Sequence, residues 1–137
     1  MTSTTERAQL TQDEFKAARY FFFEVLPSEL RRLGHDPKLC HGDLGPWNVV
    51  VTPDNELGII DFGDVGYWDA SKDLCGRDQG LLAAARDAYG ADENLRAKAT
   101  VRDRAFPVLD MPFYMGKSDP AGVGMCLAET RRLIVHG

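Results

Sequence analysis

The chain has 137 residues, 44% of them hydrophobic and 27% charged, with a formal net charge of −5. That composition suits one globular domain with room for a core, and the negative balance disfavours nonspecific nucleic-acid binding, which needs a basic footprint. Three cysteines without framework spacing point to free thiols in a reducing compartment. No apolar run approaches the roughly 18 residues of a membrane span and the polar start is unlike a signal peptide, so a cytoplasmic protein without a membrane partner is expected.

Residues 1–9 read as a disordered tail and residues 10–137 as one domain. Thr11 and Glu14 are spaced as a capping box, which starts a helix, and Phe15, Ala18, Phe22 and Val25 recur along it as an apolar face. Pro27 is expected to end that helix, with a short turn over Ser28 to Leu33 that Gly34 stops.

The stretch from Cys40 to Asp64 follows, and chemistry concentrates there. Asn48 to Val51 and Leu57 to Ile60 read as short buried strands, and Thr52-Pro53-Asp54-Asn55-Glu56 between them as a hairpin turn. If the turn centres between Asp54 and Asn55, antiparallel pairing sets Asn48 opposite Asp61. One amide and one carboxylate then meet at the open end of the hairpin. Mg²⁺ takes oxygen ligands and is commonly held by one or two protein groups, with phosphates and water completing the octahedron. Asp43 lies on a loop that Gly42, Gly45 and Pro46 would bend towards the same end, where its carboxylate could accept a proton from a hydroxyl attacking phosphorus. His41 is read as orienting this loop by hydrogen bonding rather than as a base. Asp64 either touches a second metal or closes the turn after Gly63, and the residues do not choose between these.

Downstream, an irregular stretch precedes a helix running from about Asp69 or Gln79 to Tyr89 and closed by Gly90. Asp92 can cap the next helix, which Pro107 should end or kink. Met111 to Gly116 reads as irregular. A last helix has Asp119 as cap, Pro120 at its first position, and Val123, Leu127, Thr130 and Ile134 on one face. The expected class is α+β, mainly helical. Asp73 is read as structural, bonding loop backbone near a helix start. Trp47 and Trp68 flank the site in sequence, and core packing is favoured over stacking on a substrate.

The run H-G-D-L-G-P-W-N from His41 to Asn48, followed by Asp61-Phe62-Gly63, has the loop spacing of the kinase signature H-R-D-L-x-x-x-N and D-F-G. With Gly42 in place of arginine, and with Tyr67 to Leu74 behind it, the stretch from Leu39 to Leu74 resembles the aminoglycoside phosphotransferase family of small-molecule kinases. The resemblance implies the C-terminal lobe of a protein-kinase-like fold. It implies transfer of the γ-phosphoryl group of ATP or GTP to a small-molecule hydroxyl, with Asp43 catalytic, Asn48 and Asp61 on Mg²⁺, and an Asp73-Leu74 pair opening a helix behind the loop. An aminoglycoside is the first acceptor considered, and Asp103, Asp110 and Asp119 offer acidity for a cationic one.

A kinase of this kind also needs strands, a phosphate-covering loop and a strand lysine. The residues before His41 read as helix, with no glycine before Gly34. The expectation is a lobe without its nucleotide-binding N-lobe, inactive alone, that docks with such a lobe or with itself. The alternative is a non-catalytic, kinase-like module that binds a small molecule or a partner protein.

Overall fold

The computed structural model describes residues 9–136. The expected tail therefore lies almost wholly outside the described residues. The elements in order are α1 (Gln12–Tyr20), a π-helical segment (Phe21–Val25), α2 (Leu26–Leu33), β1 (Pro37–Cys40), a 3₁₀ turn (Pro46–Asn48), β2 (Val49–Val51), β3 (Leu57–Ile59), β4 (Gly66–Asp69), a second 3₁₀ turn (Ala70–Lys72), α3 (Gln79–Tyr89), α4 (Glu93–Asp103), α5 (Phe106–Gly116) and α6 (Pro120–His136). The class is α+β and mainly helical. The chain divides into two compact units, one of residues 9–29 with 104–136 and one of Leu30–Asp103.

In the first unit α1 opens on the Thr11–Glu14 capping box, with Glu14 N–H on Thr11 Oγ1 and Thr11 N–H on Glu14 Oε2. Pro27 does not end the helix. The turn before it widens to the π form, in which Leu26 N–H reaches back to the Phe21 carbonyl, and α2 then carries Pro27 in its first turn, where no N–H is needed. The extra residue in that turn also re-phases the apolar face. Ala18, Phe21 and Leu26 are the buried positions, whereas Phe15 is exposed.

Helix α6 packs against both α1 and α5, burying Cys126, Leu127 and Thr130. Gly122 of α6 lies under the Tyr114 ring of α5, in space that a side chain would fill. The aromatic run Met111 to Gly116 is helical, not irregular, because Pro107 sits at the start of α5 and propagates it rather than breaking α4. Glu14 of α1 accepts from Arg131 Nε at 3.0 Å.

The second unit holds two separate antiparallel ribbons. β1 pairs with β4, Pro37 facing Asp69 and Cys40 facing Gly66, so part of the stretch expected to be irregular is a strand. β2 pairs with β3 in the register Val49–Ile59, Val50–Gly58, Val51–Leu57. The hairpin thus centres on Asp54 itself, and Asn48 faces Ile60 rather than Asp61. The cause is a three-residue loop: Asn55 N–H bonds Thr52 O, Thr52 N–H bonds Glu56 O, and Asn55 takes the left-handed conformation at φ 64°. This is a type I turn closed by a left-handed residue, not a two-residue turn.

The strands of this hairpin are not buried: Val50, Val51, Leu57 and Ile59 are all exposed. The interior of the unit is instead rich in polar groups, namely His41, Asn48, Asp69, Ser71, Arg86 and Lys98 beside Cys40, Leu74, Ala99 and Val101. Such groups are tolerated only when paired, and each of those six has a hydrogen-bond partner. Asp73 and Leu74 do not open a helix. Asp73 closes the second 3₁₀ turn, and α3 begins after Asp78, which caps it.

Candidate functional site

The loop from His41 to Asn48 joins β1 to β2, includes the first 3₁₀ turn and is held at three points. Asp73 receives the His41 N–H on Oδ2 at 2.7 Å and the Gly42 N–H on Oδ1 at 2.9 Å. A carboxylate taking two backbone donors in this way is a strong, charge-assisted clamp. Gly42 turns the chain at φ 91°, and a Cβ there would collide with the Asp64 carbonyl, so only glycine lets the loops 41–43 and 61–64 approach.

The second point is the His41 ring. Its Nδ1 accepts the Asp43 N–H at 3.2 Å, and its Nε2 lies 2.8 Å from the Ile60 carbonyl. An acceptor at Nδ1 leaves the proton on Nε2, which donates to Ile60. The Phe62 ring packs against the imidazole, centroids 5.0 Å apart. Buried and with both nitrogens engaged, His41 joins the two loops.

Asn48 is the third point. Its Nδ2 donates to the Asp43 carbonyl at 2.8 Å and approaches Asp43 Oδ2 at 3.3 Å. Among the described residues no donor is directed at its Oδ1. Asp43 itself is exposed, on the lip of a loop whose backbone is fixed on both sides.

Asp61 stands one residue beyond the hairpin. Ile60 N–H bonds Asn48 O at 2.9 Å and the Ile60 carbonyl takes His41, so the residue before Asp61 is bolted to the loop from two directions. Asp61 adopts φ 58°, a left-handed conformation that aspartate tolerates better than most side chains. Its Oδ1 faces the Gly63 N–H at 3.4 Å. His41, Asp43, Asn48 and Asp73 thus form one connected set, with Asp61 attached through the main chain. Asp64 contributes its carbonyl, which lies 3.4 Å from Trp68 Nε1.

Among the described residues no three His, Cys, Asp or Glu side chains gather in a metal-holding cluster. A cation here would take Asn48 Oδ1, a carboxylate and oxygens from outside the protein, which is the donor chemistry magnesium accepts. Neither tryptophan is core. Trp47 is 66% exposed, its indole lying against Gly45, and Trp68 is exposed with Lys72 Nζ 4.7 Å from its ring centre.

A model of the phosphotransferase enzyme family matches residues 3–106, about three quarters of the chain. The chain belongs to that family. A search of curated proteins finds no match. The family match spans the whole second unit, including every residue of the loop network, and ends at the first residue of α5.

Sequence reasoning missed the layer beneath the loop in this phosphotransferase. Asp69, 3% exposed, pairs with Lys98 of α4, 5% exposed. It also accepts from Ser71 N–H at 3.0 Å and Asp36 N–H at 3.3 Å. Burial alone would raise the Asp69 carboxyl, but the Lys98 hydrogen bond and those from Ser71 and Asp36 outweigh it and hold the pKa at about 2. Arg102 Nε donates to Ser71 Oγ at 2.8 Å. Asp69, two residues before Ser71, was readable as a turn cap, whereas nothing in the sequence spacing singles out Lys98.

Of the aspartates offered for a cationic acceptor, Asp103 is taken by Arg86 and by the Gly76 N–H, and Asp119 caps α6 through Gly122 N–H. The cysteines are free. Burial pushes the Cys75 thiol up to about 11, and burial followed by the Asp73 charge raises Cys40, which leaves both protonated and unreactive at neutral pH.

Proposed function

We propose that this phosphotransferase moves the γ-phosphoryl group of ATP or GTP to a hydroxyl of a small molecule, with Asp43 aligning the acceptor and Asn48 and Asp61 holding Mg²⁺. The observation that carries the reading is the Asn48 amide. Its nitrogen is committed to Asp43, which aims the unclaimed Oδ1 away from that bond and couples the metal side of the site to the catalytic side. Bound there, Mg²⁺ would neutralise phosphate charge.

In the transfer, the acceptor oxygen forms a bond to the γ-phosphorus as the bond to the nucleoside diphosphate breaks. The acceptor proton passes to Asp43. A carboxylate is too weak a base to take a hydroxyl proton in advance, so the proton moves late and Asp43 acts chiefly by orientation. Exposure of Asp43 leaves the carboxylate accessible to such an acceptor. A cationic hydroxyl compound, an aminoglycoside first, is the acceptor class we favour for a chain of net charge −5.

We infer further that the 137 residues alone turn over little, since residues 12–33 are helical and supply no phosphate-covering loop. Joined to the nucleotide-binding lobe of a phosphotransferase, the chain should release ADP or GDP in step with acceptor phosphorylation. Asp43→Asn should then lower kcat by on the order of 10² to 10⁴. Full turnover by Asp43→Asn would overturn the assignment of the base, and robust coupled turnover by the chain alone would overturn the division of labour.

The second reading, a binding module, draws on the apolar side chains left open on the ribbons, Leu57 at 75% and Tyr67 at 76% exposure. Where such side chains join into one contiguous patch, they mark a contact site. Concentration-dependent self-association with no turnover in the joined form would favour it.

A further inference from the structure

Helix α4 presents two basic side chains one turn apart, Lys98 and Arg102, to a single short segment. Lys98 is paired with Asp69, the N-cap of the second 3₁₀ turn, and Arg102 bonds the hydroxyl of Ser71 within it. Residues at this spacing share one helix face. The turn they grip ends on Asp73, whose carboxylate takes the His41 and Gly42 N–H groups. His41 in turn accepts from Asp43 N–H. An unbroken path of hydrogen bonds and main chain therefore runs from α4 to the backbone of Asp43, and all of it lies within Leu30–Asp103.

We propose that Lys98 and Arg102 are positioning residues: the basic face of α4 sets, through Asp69, Ser71 and Asp73, the backbone of the loop that carries Asp43. The catalytic side of this proposal rests on the reading of Asp43 as base, while the mechanical side does not. The physical requirement is rigidity. A misplacement of about 1 Å at a reacting group can cost on the order of 10² in rate, and a loop exposed at Asp43 has to be fixed from beneath. A buried ion pair is suited to that task because it tolerates few alternative geometries, and losing one partner strands the other charge. Arg102 adds a second hold by donating to the neutral Ser71 hydroxyl on the same turn, so the segment is held at two points and cannot rotate about one.

Amide hydrogen exchange of the 137-residue chain tests the mechanical step without any substrate. Lys98→Met should raise exchange at the His41 and Gly42 amides by at least about tenfold relative to Thr52 of the hairpin, and Lys98→Arg should restore protection. In the Asp73→Asn background Lys98→Met should add nothing at those two amides. Should Lys98→Met fail to fold, Arg102→Gln, which removes only the bond to Ser71, should give the same selective pattern with smaller amplitude. Uniform acceleration across the hairpin and α3, no acceleration at His41 and Gly42, or additive effects of the Lys98 and Asp73 changes would each overturn the proposal. In a form that turns over, Arg102→Gln should lower kcat with the acceptor KM unchanged, and a change in KM alone would overturn it. Selective exchange alongside an Asp43→Asn variant of full activity would instead leave the coupling standing and remove the catalytic reading.

Discussion

Asp73 Oδ2 lies 2.7 Å from the main-chain nitrogen of His41, across a separation of 32 residues in sequence. That contact and its twin to Gly42 make Asp73 the principal long-range tie on the loop. Hydrogen bonds to a charged group contribute about 1.5 to 3 kcal/mol each. Asp73→Ala should therefore cost about 3 kcal/mol in urea unfolding, and Asp73→Asn less, because an amide oxygen still accepts one N–H. Equal unfolding midpoints for Asp73→Ala and the parent chain would refute this.

The depressed Asp69 carboxyl makes acid stability testable. A group whose folded pKa lies below its ordinary value of 3.8 contributes stability above that value and loses it as pH falls through the folded value, here about 2. The contribution is of order 2 kcal/mol. Denaturant midpoints should fall between pH 4 and 2, and the fall should be shallower in Asp69→Asn. Parallel curves for the two proteins would show that other carboxylates carry the acid transition.

Three glycines with positive φ separate strain from collision. At Gly34 and Gly90 an added Cβ meets open space, whereas at Gly42 it meets the Asp64 backbone. Gly34→Ala and Gly90→Ala should each cost about 1 kcal/mol, the strain of a left-handed alanine. Gly42→Ala should cost at least about 2 kcal/mol more, because backbone has to move. Melting temperatures of the three variants decide, and an equal drop at all three positions would mean that the two loops separate freely.

Metal affinity can be read without a substrate. One neutral oxygen and one carboxylate hold Mg²⁺ weakly unless phosphates join, so binding should be millimolar or weaker, on the order of 4 kcal/mol or less. Asp61→Asn should abolish it and Asp54→Asn, in the hairpin turn, should leave it unchanged. Titration calorimetry that returned micromolar affinity, or binding indifferent to Asp61, would discard the half-site.

Local signals were legible in the sequence where the chemistry is local. The Thr11–Glu14 box, the Gly90 stop, and the Asp92 and Asp119 caps all depend on neighbours within a turn, and each holds in the structure. The hairpin was legible as a hairpin, but its register turned on whether Asn55 takes a left-handed conformation, which a Pro-Asp-Asn sequence permits without requiring. The continuation through Pro27 depended on one widened turn that no spacing announces. In the site, the motif picked out His41, Asp43, Asn48 and Asp61 because they lie close in sequence. The partnership of Lys98 with Asp69 joins residues 29 apart and exists only once α4 is packed.

Ile60 presents a different kind of position. Its amide is bound to Asn48 and its carbonyl to His41, while its side chain is 45% exposed. The hinge between the two loops is thus written in main-chain atoms that every residue except proline possesses. Replacing the side chain one residue type after another would leave both main-chain bonds in place, although the site is pinned at this point. Only Ile60→Pro, or an ester in place of the amide, would reveal it.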